Sequence, residues 1–492
     1  MATFDLQTFG IPELRTSLAT SDLTSTELTR ACFSTIDALN DKHRAMLIVN
    51  PQAQAIAAAL DADIGRAGFD LGPLHGLPIA VKDNLDTADG MPTTAGSLAL
   101  ANTHAQKDSD VVAALREAGA VLIGKTNLSE WANYRSTRSS SGWSSAGGQT
   151  RNAYDPARSP GGSSSGSGVA VALGMCVAAI GTETDGSITI PAAMNGIVGI
   201  KPTLGLVSQN GIVPIAASQD TAGPMARSVR DAALLMDALV SKDNPQRGDG
   251  YDPGVDAMAL DGIRLGVAAR YAGLHDGADQ CFEAAKAVLR ELGAVVVEDG
   301  IDVAGPSTIR DAESVVLSYE FKHYLNQYLS GRDSRTTIRS LADLIRFNAD
   351  NASTVMPHFG QELHLGAQRR GALTDEVYRE ARQRSLQMAS AEGIDKAMRE
   401  HALDAIIAPT TTPAWLIDWI SGDNRKGSAA PPAAVAGYPH ITVPMGYVAH
   451  LPVGLSVFAG AFQEAHIIRI THAFEQATQH RQPPSTQPNI HL

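Results

Sequence analysis

Two serines and one lysine in this chain have the surroundings that nucleophilic catalysis requires. Ser187 follows a glycine in a turn, Ser163 lies in a run of glycines and serines, and Lys82 ends an apolar segment. A serine hydroxyl is a weak nucleophile until a base takes its proton, and backbone N–H groups of a turn can stabilise the resulting oxyanion. These residue types therefore indicate acyl transfer in which lysine, rather than histidine, is the base.

Lysine acts as a base only in its neutral form. Lowering its pKa from about 10.4 to 7 costs about 4.6 kcal/mol, and burial can supply that shift. Lys82 follows the apolar run 77–81, so we expect it to emerge from the end of a buried strand. A salt bridge between Lys82 and the adjacent Asp83 or another carboxylate is the alternative, because structural ion pairs also perturb lysines.

Both serines stand where a glycine-containing loop meets a regular element. The run 161–168 predicts a loop with unusual backbone freedom that leads into a helix N-terminus. Ser187 follows the predicted strand 177–180, in a turn that contains Gly186. Each feature taken alone is also typical of a helix cap or a tight turn without a catalytic role.

Two short motifs match known patterns but lack the required context. Segment 119–126 fits the P-loop pattern, yet residues 121–123 within it are themselves the predicted strand, whereas a phosphate loop follows its strand. Segment 162–166 fits the nucleophile-elbow pattern around Ser164, but the preceding residues are polar and include prolines, so no strand leads into it. We therefore expect neither nucleotide binding nor catalysis by Ser164.

The elements that must position these residues alternate between strand and helix, which predicts an α/β fold: a large mixed sheet with helices on both faces. From about 305 to 400 the pattern turns mostly helical and more charged, as expected of a cover packed on the sheet, before strands resume. We therefore predict a single domain over residues 1–492. The predicted strands are 77–81, 121–123, 177–180, 197–200, 263–268, 295–297, 405–408, 440–443 and 453–458.

Composition and the first residues exclude several classes of protein. A formal net charge of −13 without a basic cluster opposes binding to nucleic acid. Cys32, Cys176 and Cys281 are far apart, and neither they nor the histidines show metal-ligand spacing, so we expect no metal and no cofactor. Met1–Asp5 lacks the features of a signal peptide, and the apolar run 169–180 is too short to span a bilayer. We expect a soluble, cytoplasmic protein without membrane contact.

Six motifs spread over nearly the whole chain, and densest from about 70 to 235, occur together in one known arrangement. They are Val81-Lys82-Asp83-Asn84, Ser159-Pro160-Gly161-Gly162-Ser163-Ser164, Asp185-Gly186-Ser187-Ile188, Gly199-Ile200-Lys201-Pro202-Thr203, Asp220-Thr221-Ala222-Gly223-Pro224-Met225 and Ala434-Val435-Ala436-Gly437-Tyr438-Pro439. With this set of motifs in this order, the chain resembles the amidase signature family. The joint match is far more specific than any one motif.

The resemblance implies a catalytic role for each candidate residue. Ser187 would be the acylated nucleophile, Ser163 the bridging serine, and Lys82 the base that starts and ends the proton relay. The family holds the bridging serine through a cis peptide bond, which here would join Gly162 to Ser163. The implied oxyanion hole consists of the backbone N–H groups of Thr184, Asp185, Gly186 and Ser187.

One departure from the family pattern concerns the substrate. Many members have two glycines before the nucleophile, whereas this chain has Asp185 and Gly186, and the carboxylate could restrict or position the substrate. The runs 125–133, 141–143, 148–152 and 182–187 most resemble bacterial peptide amidases, which release ammonia from C-terminal peptide amides.

We therefore expect an amide hydrolase that acts on C-terminal peptide amides and needs no obligate protein partner. Two alternatives remain open from the sequence. One is an amidase for small aryl or aliphatic amides, because substrate pockets vary more than catalytic cores on one fold. The other is an amidotransferase component that works only within a complex.

Overall fold

The computed structural model describes residues 6–64, 71–254, 259–303, 306–332 and 336–485. Met1–Asp5, on which the signal-peptide expectation rests, lies outside the described residues. The strands are β1 Met46–Val49, β2 Pro78–Lys82, β3 Val121–Thr126, β4 Trp143–Ser144, β5 Gly148–Gln149, β6 Ala178–Glu183, β7 Val198–Lys201, β8 Thr221–Ala226, β9 Arg264–Val267, β10 Val295–Val297, β11 Ala405–Pro409, β12 His440–Val448 and β13 Leu451–Phe458.

Sixteen α-helices lie among the described residues. The α-helices are α1 Ile11–Ala19, α2 Ser25–His43, α3 Ala53–Asp63, α4 Asp110–Glu117, α5 Ser165–Ala172, α6 Thr189–Met194, α7 Val229–Leu239, α8 Asp276–Glu291, α9 Pro306–Ser330, α10 Leu341–Asp350, α11 Ala352–Val355, α12 Glu362–Gln368, α13 Glu376–Ala389, α14 Asp395–His401, α15 Ala430–Ala436 and α16 Glu464–Thr478. None of the helices in the described ranges is both long and apolar enough to cross a membrane.

Eleven of the strands form one mixed sheet in the order β1-β3-β2-β6-β8-β7-β12-β13-β11-β9-β10, and β4 pairs with β5 separately. β2 is parallel to β3 and β6, whereas β6, β8, β7, β12, β13 and β11 run antiparallel to one another in succession. The parallel arrangement of β2 and β6 brings their carboxyl ends to the same edge of the sheet, where Lys82 and the Ser187 turn lie.

The central strands are buried at every position. Successive side chains of a strand point to opposite faces, so complete burial of β2, β3 and β6 requires cover on both faces. The predicted α/β fold with a large mixed sheet is therefore confirmed. The segment after residue 305 is helical as expected, and Phe321 of α9 packs against Tyr134 with ring centroids 4.8 Å apart.

Local sequence accounts for the elements that lead into the site. Thr24 caps α2 reciprocally with Glu27, which fixes the start of that helix. The glycine-rich run leads into α5 as predicted, but α5 already begins at Ser165, so residues 165–168 are helical rather than part of the loop. The apolar segment after residue 177 forms β6. β8 was not predicted, because Gly223 and Pro224 make its sequence resemble a loop.

Candidate active site

Lys82 is the last residue of β2 and is completely buried. Its Nζ lies 2.8 Å from Ser163 Oγ, 2.9 Å from Thr182 Oγ1 and 3.3 Å from the Thr182 carbonyl oxygen. Burial lowers the pKa of Lys82 to about 7, against the opposing negative charges of Asp220 and Glu183. A large fraction of this amine is therefore neutral near neutral pH, as a general base must be.

The alternative ion pair between Lys82 and Asp83 is not formed. The Asp83 carboxylate instead faces Lys125, with Oδ1 3.7 Å from Nζ, and accepts hydrogen bonds from Thr94. Lys125 lies within β3, which confirms that this segment is a buried strand rather than a phosphate loop. The two chemically similar buried amines, Lys125 and Lys201, donate to other groups and not to a serine.

Ser163 is held immediately before α5 by the glycine-rich loop. The Gly162–Ser163 peptide bond is cis, as the resemblance implies. Gly161 has a φ of 70°, a conformation that glycine adopts without steric cost. The Ser163 carbonyl accepts a hydrogen bond from the Ser129 N–H at 3.2 Å, while its side chain faces Lys82.

Ser187 lies in the turn between β6 and α6 and is 7% exposed. Its carbonyl accepts the N–H of Ser164 at 3.0 Å, which joins the Ser187 turn to the loop that holds Ser163. The structure thus brings the three predicted residues to one place. The only direct side-chain hydrogen bond among these three described residues is the one between Lys82 and Ser163.

The turn 184–187 is fixed at its ends and open in the middle. Thr184 Oγ1 donates to Asp220 Oδ1 at 2.6 Å, and Gln219 Nε2 donates to the Thr184 carbonyl at 3.2 Å. At the other end, Glu183 Oε2 accepts the N–H groups of residues 188 and 189 at 2.7 and 3.0 Å. Within the described chain, the N–H groups of residues 185–187 have no acceptor.

Asp185 lines a cavity of about 480 Å³. Its Oδ1 is inaccessible to solvent and has no hydrogen-bond partner. Burial raises the pKa of Asp185 to about 6 and that of Glu313 to about 8; the negative charge of Glu183 adds to the first shift, and Asp185 itself to the second. The cations Arg310 and Arg425 act in the opposite direction on Asp185.

Three residues around Lys82 were not singled out from the sequence. Thr182 contacts Nζ directly, Asn84 donates to Thr182 Oγ1 at 3.0 Å, and Asp220 holds Thr184. All three lie in the runs that carry the family resemblance, and that position is the one feature of the sequence that could have pointed to them. No group of three His, Cys, Asp or Glu residues in the described ranges is arranged to hold a metal ion.

The comparisons with known proteins agree with this geometry. The family model described as Amidase matches residues 27–468, so the chain belongs to the amidase family, a class of amide hydrolases. The solved peptide amidase of Stenotrophomonas maltophilia is 44% identical, with a TM-score of 0.91, and the alignment covers 98% of this chain and 99% of that one. This protein is thus an amide hydrolase that closely resembles a peptide amidase.

Other relatives cover the chain equally well. A probable amidase of Arabidopsis thaliana is 36% identical over 98% of this chain and 92% of its own length. A glutamyl-tRNA(Gln) amidotransferase component of Chloroflexus aurantiacus is 35% identical over 98% of this chain and 99% of its own length. Relatives of similar identity therefore differ in the role that their names state.

Proposed function

We propose that this protein hydrolyses C-terminal amides of peptides through an acyl-enzyme formed on Ser187. The observation that carries the proposal is the 2.8 Å contact between Lys82 Nζ and Ser163 Oγ, made by a buried amine whose pKa is lowered to about 7. A neutral amine beside a serine hydroxyl is the activating arrangement that serine nucleophiles need.

In the proposed mechanism, neutral Lys82 takes a proton from Ser163, which takes the proton of Ser187 as Ser187 Oγ attacks the amide carbonyl. The same relay returns a proton to the nitrogen, so that the C–N bond breaks and ammonia leaves. Water then attacks the ester and loses a proton to the relay. The relay passes that proton back to Ser187 Oγ as the ester C–O bond breaks, which frees the peptide acid and restores the serine. Serine-to-serine proton transfer requires the two hydroxyls to come together when substrate binds, and such contacts commonly tighten at that stage.

The free N–H groups of Asp185, Gly186 and Ser187 support an oxyanion hole at the same turn, with the N–H of Thr184 as its fourth proposed donor. Loss of one donor from such a hole typically costs about 2.7–4 kcal/mol of transition-state stabilisation. Gly186 has a φ of 81°, so glycine suits the turn that aims these groups.

The peptide-amide substrate is supported by the near full-length similarity to peptide amidase. We further propose that the chain works without a partner and in the cytoplasm. A second candidate function, that of an amidotransferase component, is favoured by the similarity to the Chloroflexus protein. Ammonia release from a peptide amide by the purified chain alone would favour hydrolysis, whereas activity only with added partner proteins would favour the second candidate.

Substitution of the proposed nucleophile tests the mechanism directly. We expect Ser187→Ala to lower kcat by at least about 10³-fold, and Lys82→Ala nearly as much, because the residues of a relay act as a unit. Ammonia release is the assay, and circular dichroism checks the fold. The matched control is Ser314→Ala, since Ser314 is an exposed serine on α9. Turnover at the wild-type rate by the Ser187 variant would contradict the assignment.

A further inference from the structure

The cavity beside Asp185 is lined by three cations, Arg310, Arg425 and Lys426. Its volume of about 480 Å³ lies within the range of ligand pockets. Asp185 belongs to the same wall and precedes Ser187 by two residues, so the cavity adjoins the proposed nucleophile turn. A substrate that reaches Ser187 from this side passes these charges.

The three cations have no ion-pair partner within 4 Å in the described chain. This is not the general state of surface arginines here, because Arg116 and Arg230 bind carboxylates at 2.6 and 2.9 Å. These side chains are therefore not held in direct contact with a carboxylate, although Arg310 and Arg425 act on Asp185 over a longer distance.

The carboxylate of Asp423, also on the cavity wall, is already engaged by this chain. It accepts hydrogen bonds from the Ser141 hydroxyl at 2.5 Å and from Trp415 Nε1 at 3.0 Å. Asp185 remains as the one unbonded carboxylate among the residues that line this described cavity. Three cations face two carboxylates, those of Asp185 and Asp423, so the wall of the cavity carries an excess of positive charge.

That excess contrasts with the charge of the whole molecule, which is −13. A cleft lined by one sign of charge concentrates ligands of the opposite sign. The scissile amide itself is neutral, so a negative charge on the substrate must lie elsewhere in the peptide. An acidic side chain near the amidated end is the simplest group that meets this requirement.

We propose that Arg310, Arg425 and Lys426 make the enzyme selective for peptide amides with an acidic side chain one or two residues before the amidated residue. This inference rests on the proposed function and adds a substrate class to it. Asp185 belongs to the proposed nucleophile turn itself, so its charge disfavours an acidic side chain on the amidated residue.

The first test compares ammonia release from N-acetylated tetrapeptide amides. The peptides differ only in carrying glutamate, glutamine or lysine at the position one or two residues before the amidated residue. We expect kcat/KM to follow the order glutamate, glutamine, lysine, and the differences to shrink in 0.5 M NaCl because salt screens exposed charges. Equal values for the three peptides would overturn the inference and leave the proposed function standing. Release from none of them would overturn both.

The second test assigns the selectivity to the cavity. Each of the substitutions Arg310→Gln and Arg425→Gln should lower the glutamate-to-glutamine ratio of kcat/KM by about 1.4- to 5-fold, the effect of one exposed ion pair. Arg30→Gln is the matched control, since Arg30 is exposed on α2 and should leave the ratio and the activity unchanged. An unchanged ratio in the Arg310→Gln, Arg425→Gln double variant would overturn the assignment.

Discussion

At the scale of single residues, burial and strand register place Lys82, the proposed base. Val81 pairs with Ile180 across β2 and β6, so the next residue, Lys82, lies beside Thr182. The sequence could nominate Lys82 because an apolar run precedes it. It could not nominate Thr182 as its partner, because the register between two strands is a property of the folded sheet.

The pKa of Lys82 predicts the pH dependence of the reaction. The neutral amine is the active form, and burial lowers its pKa to about 7, so kcat/KM should fall as pH decreases through about 7 and level off above it. Of the neighbouring carboxylates, Asp220 opposes this lowering of the Lys82 pKa the most. Burial raises the pKa of Asp220 itself to about 7, so only part of its negative charge is present where Lys82 titrates. Asp220→Asn removes that charge, which favours the ammonium, so the midpoint should move to lower pH.

Initial rates of ammonia release between pH 5 and 9 would measure both midpoints. Asp302→Asn is a suitable control, because Asp302 is an exposed carboxylate and its loss should leave the profile in place. A midpoint that rises in the Asp220 variant, or a wild-type rate that increases toward acid, would contradict Lys82 as the base.

At the scale of elements, the nucleophile turn depends on the carboxylate of Glu183. This group accepts the N–H groups of residues 188 and 189 and so ties the end of β6 to the start of α6. Without that acceptor the turn can shift, and its free N–H groups no longer converge. Glu183 is thus a positioning residue for the proposed oxyanion hole.

We expect Glu183→Ala to lower kcat at least about tenfold, because displacing an oxyanion donor costs up to about 2.7–4 kcal/mol. Glu183→Gln keeps an oxygen acceptor and should retain more activity. Steady-state kinetics on one peptide amide would separate kcat from KM. Equal losses of kcat in the two variants would contradict the argument that an oxygen acceptor at position 183 positions the turn.

β8 shows why part of the fold could not be predicted from the sequence. Gly223 and Pro224 disfavour an isolated strand, yet β6 and β7 hydrogen-bond to β8 from both sides. A Cβ at Gly223 would collide with the carbonyl oxygen of Ile200 and lie 2.9 Å from Pro202 Cδ, so only glycine allows this close approach. Apolar runs such as 295–297 were predicted as strands because the pattern that indicates them lies in consecutive residues.

This close approach predicts a contrast between two glycine substitutions. Gly223→Ala should lower the free energy of unfolding by about 1–3 kcal/mol, the usual cost of forcing extra volume into a packed interior. Gly366→Ala in α12 should be neutral or raise it by up to about 1 kcal/mol, because a Cβ there meets no atom within 4 Å and alanine favours helix. Urea denaturation measures both, and equal effects would contradict the steric argument.

At the scale of the whole molecule, the sheet has two halves that come from successive parts of the chain. The strands up to β8 lie on one side and those from β9 onward on the other, and β7 and β12 join them. The β7–β12 pairing places Ile200 opposite Ile441. A second contact joins the two halves after β7, where the carboxylate of Glu464 in α16 accepts the N–H of Thr203 at 2.6 Å.

These contacts predict that the two halves unfold together, so that the chain behaves as the single domain expected from its sequence. Trp131 and Trp143 report on the first half and Trp415 on the second, while far-ultraviolet circular dichroism reports on all helices. Because a cooperative unit shows coincident transitions by different probes, tryptophan fluorescence and dichroism should give one urea midpoint. Since the proposed triad of Lys82, Ser163 and Ser187 lies entirely in the first half, two separated midpoints would contradict the single domain while leaving the proposed triad untouched.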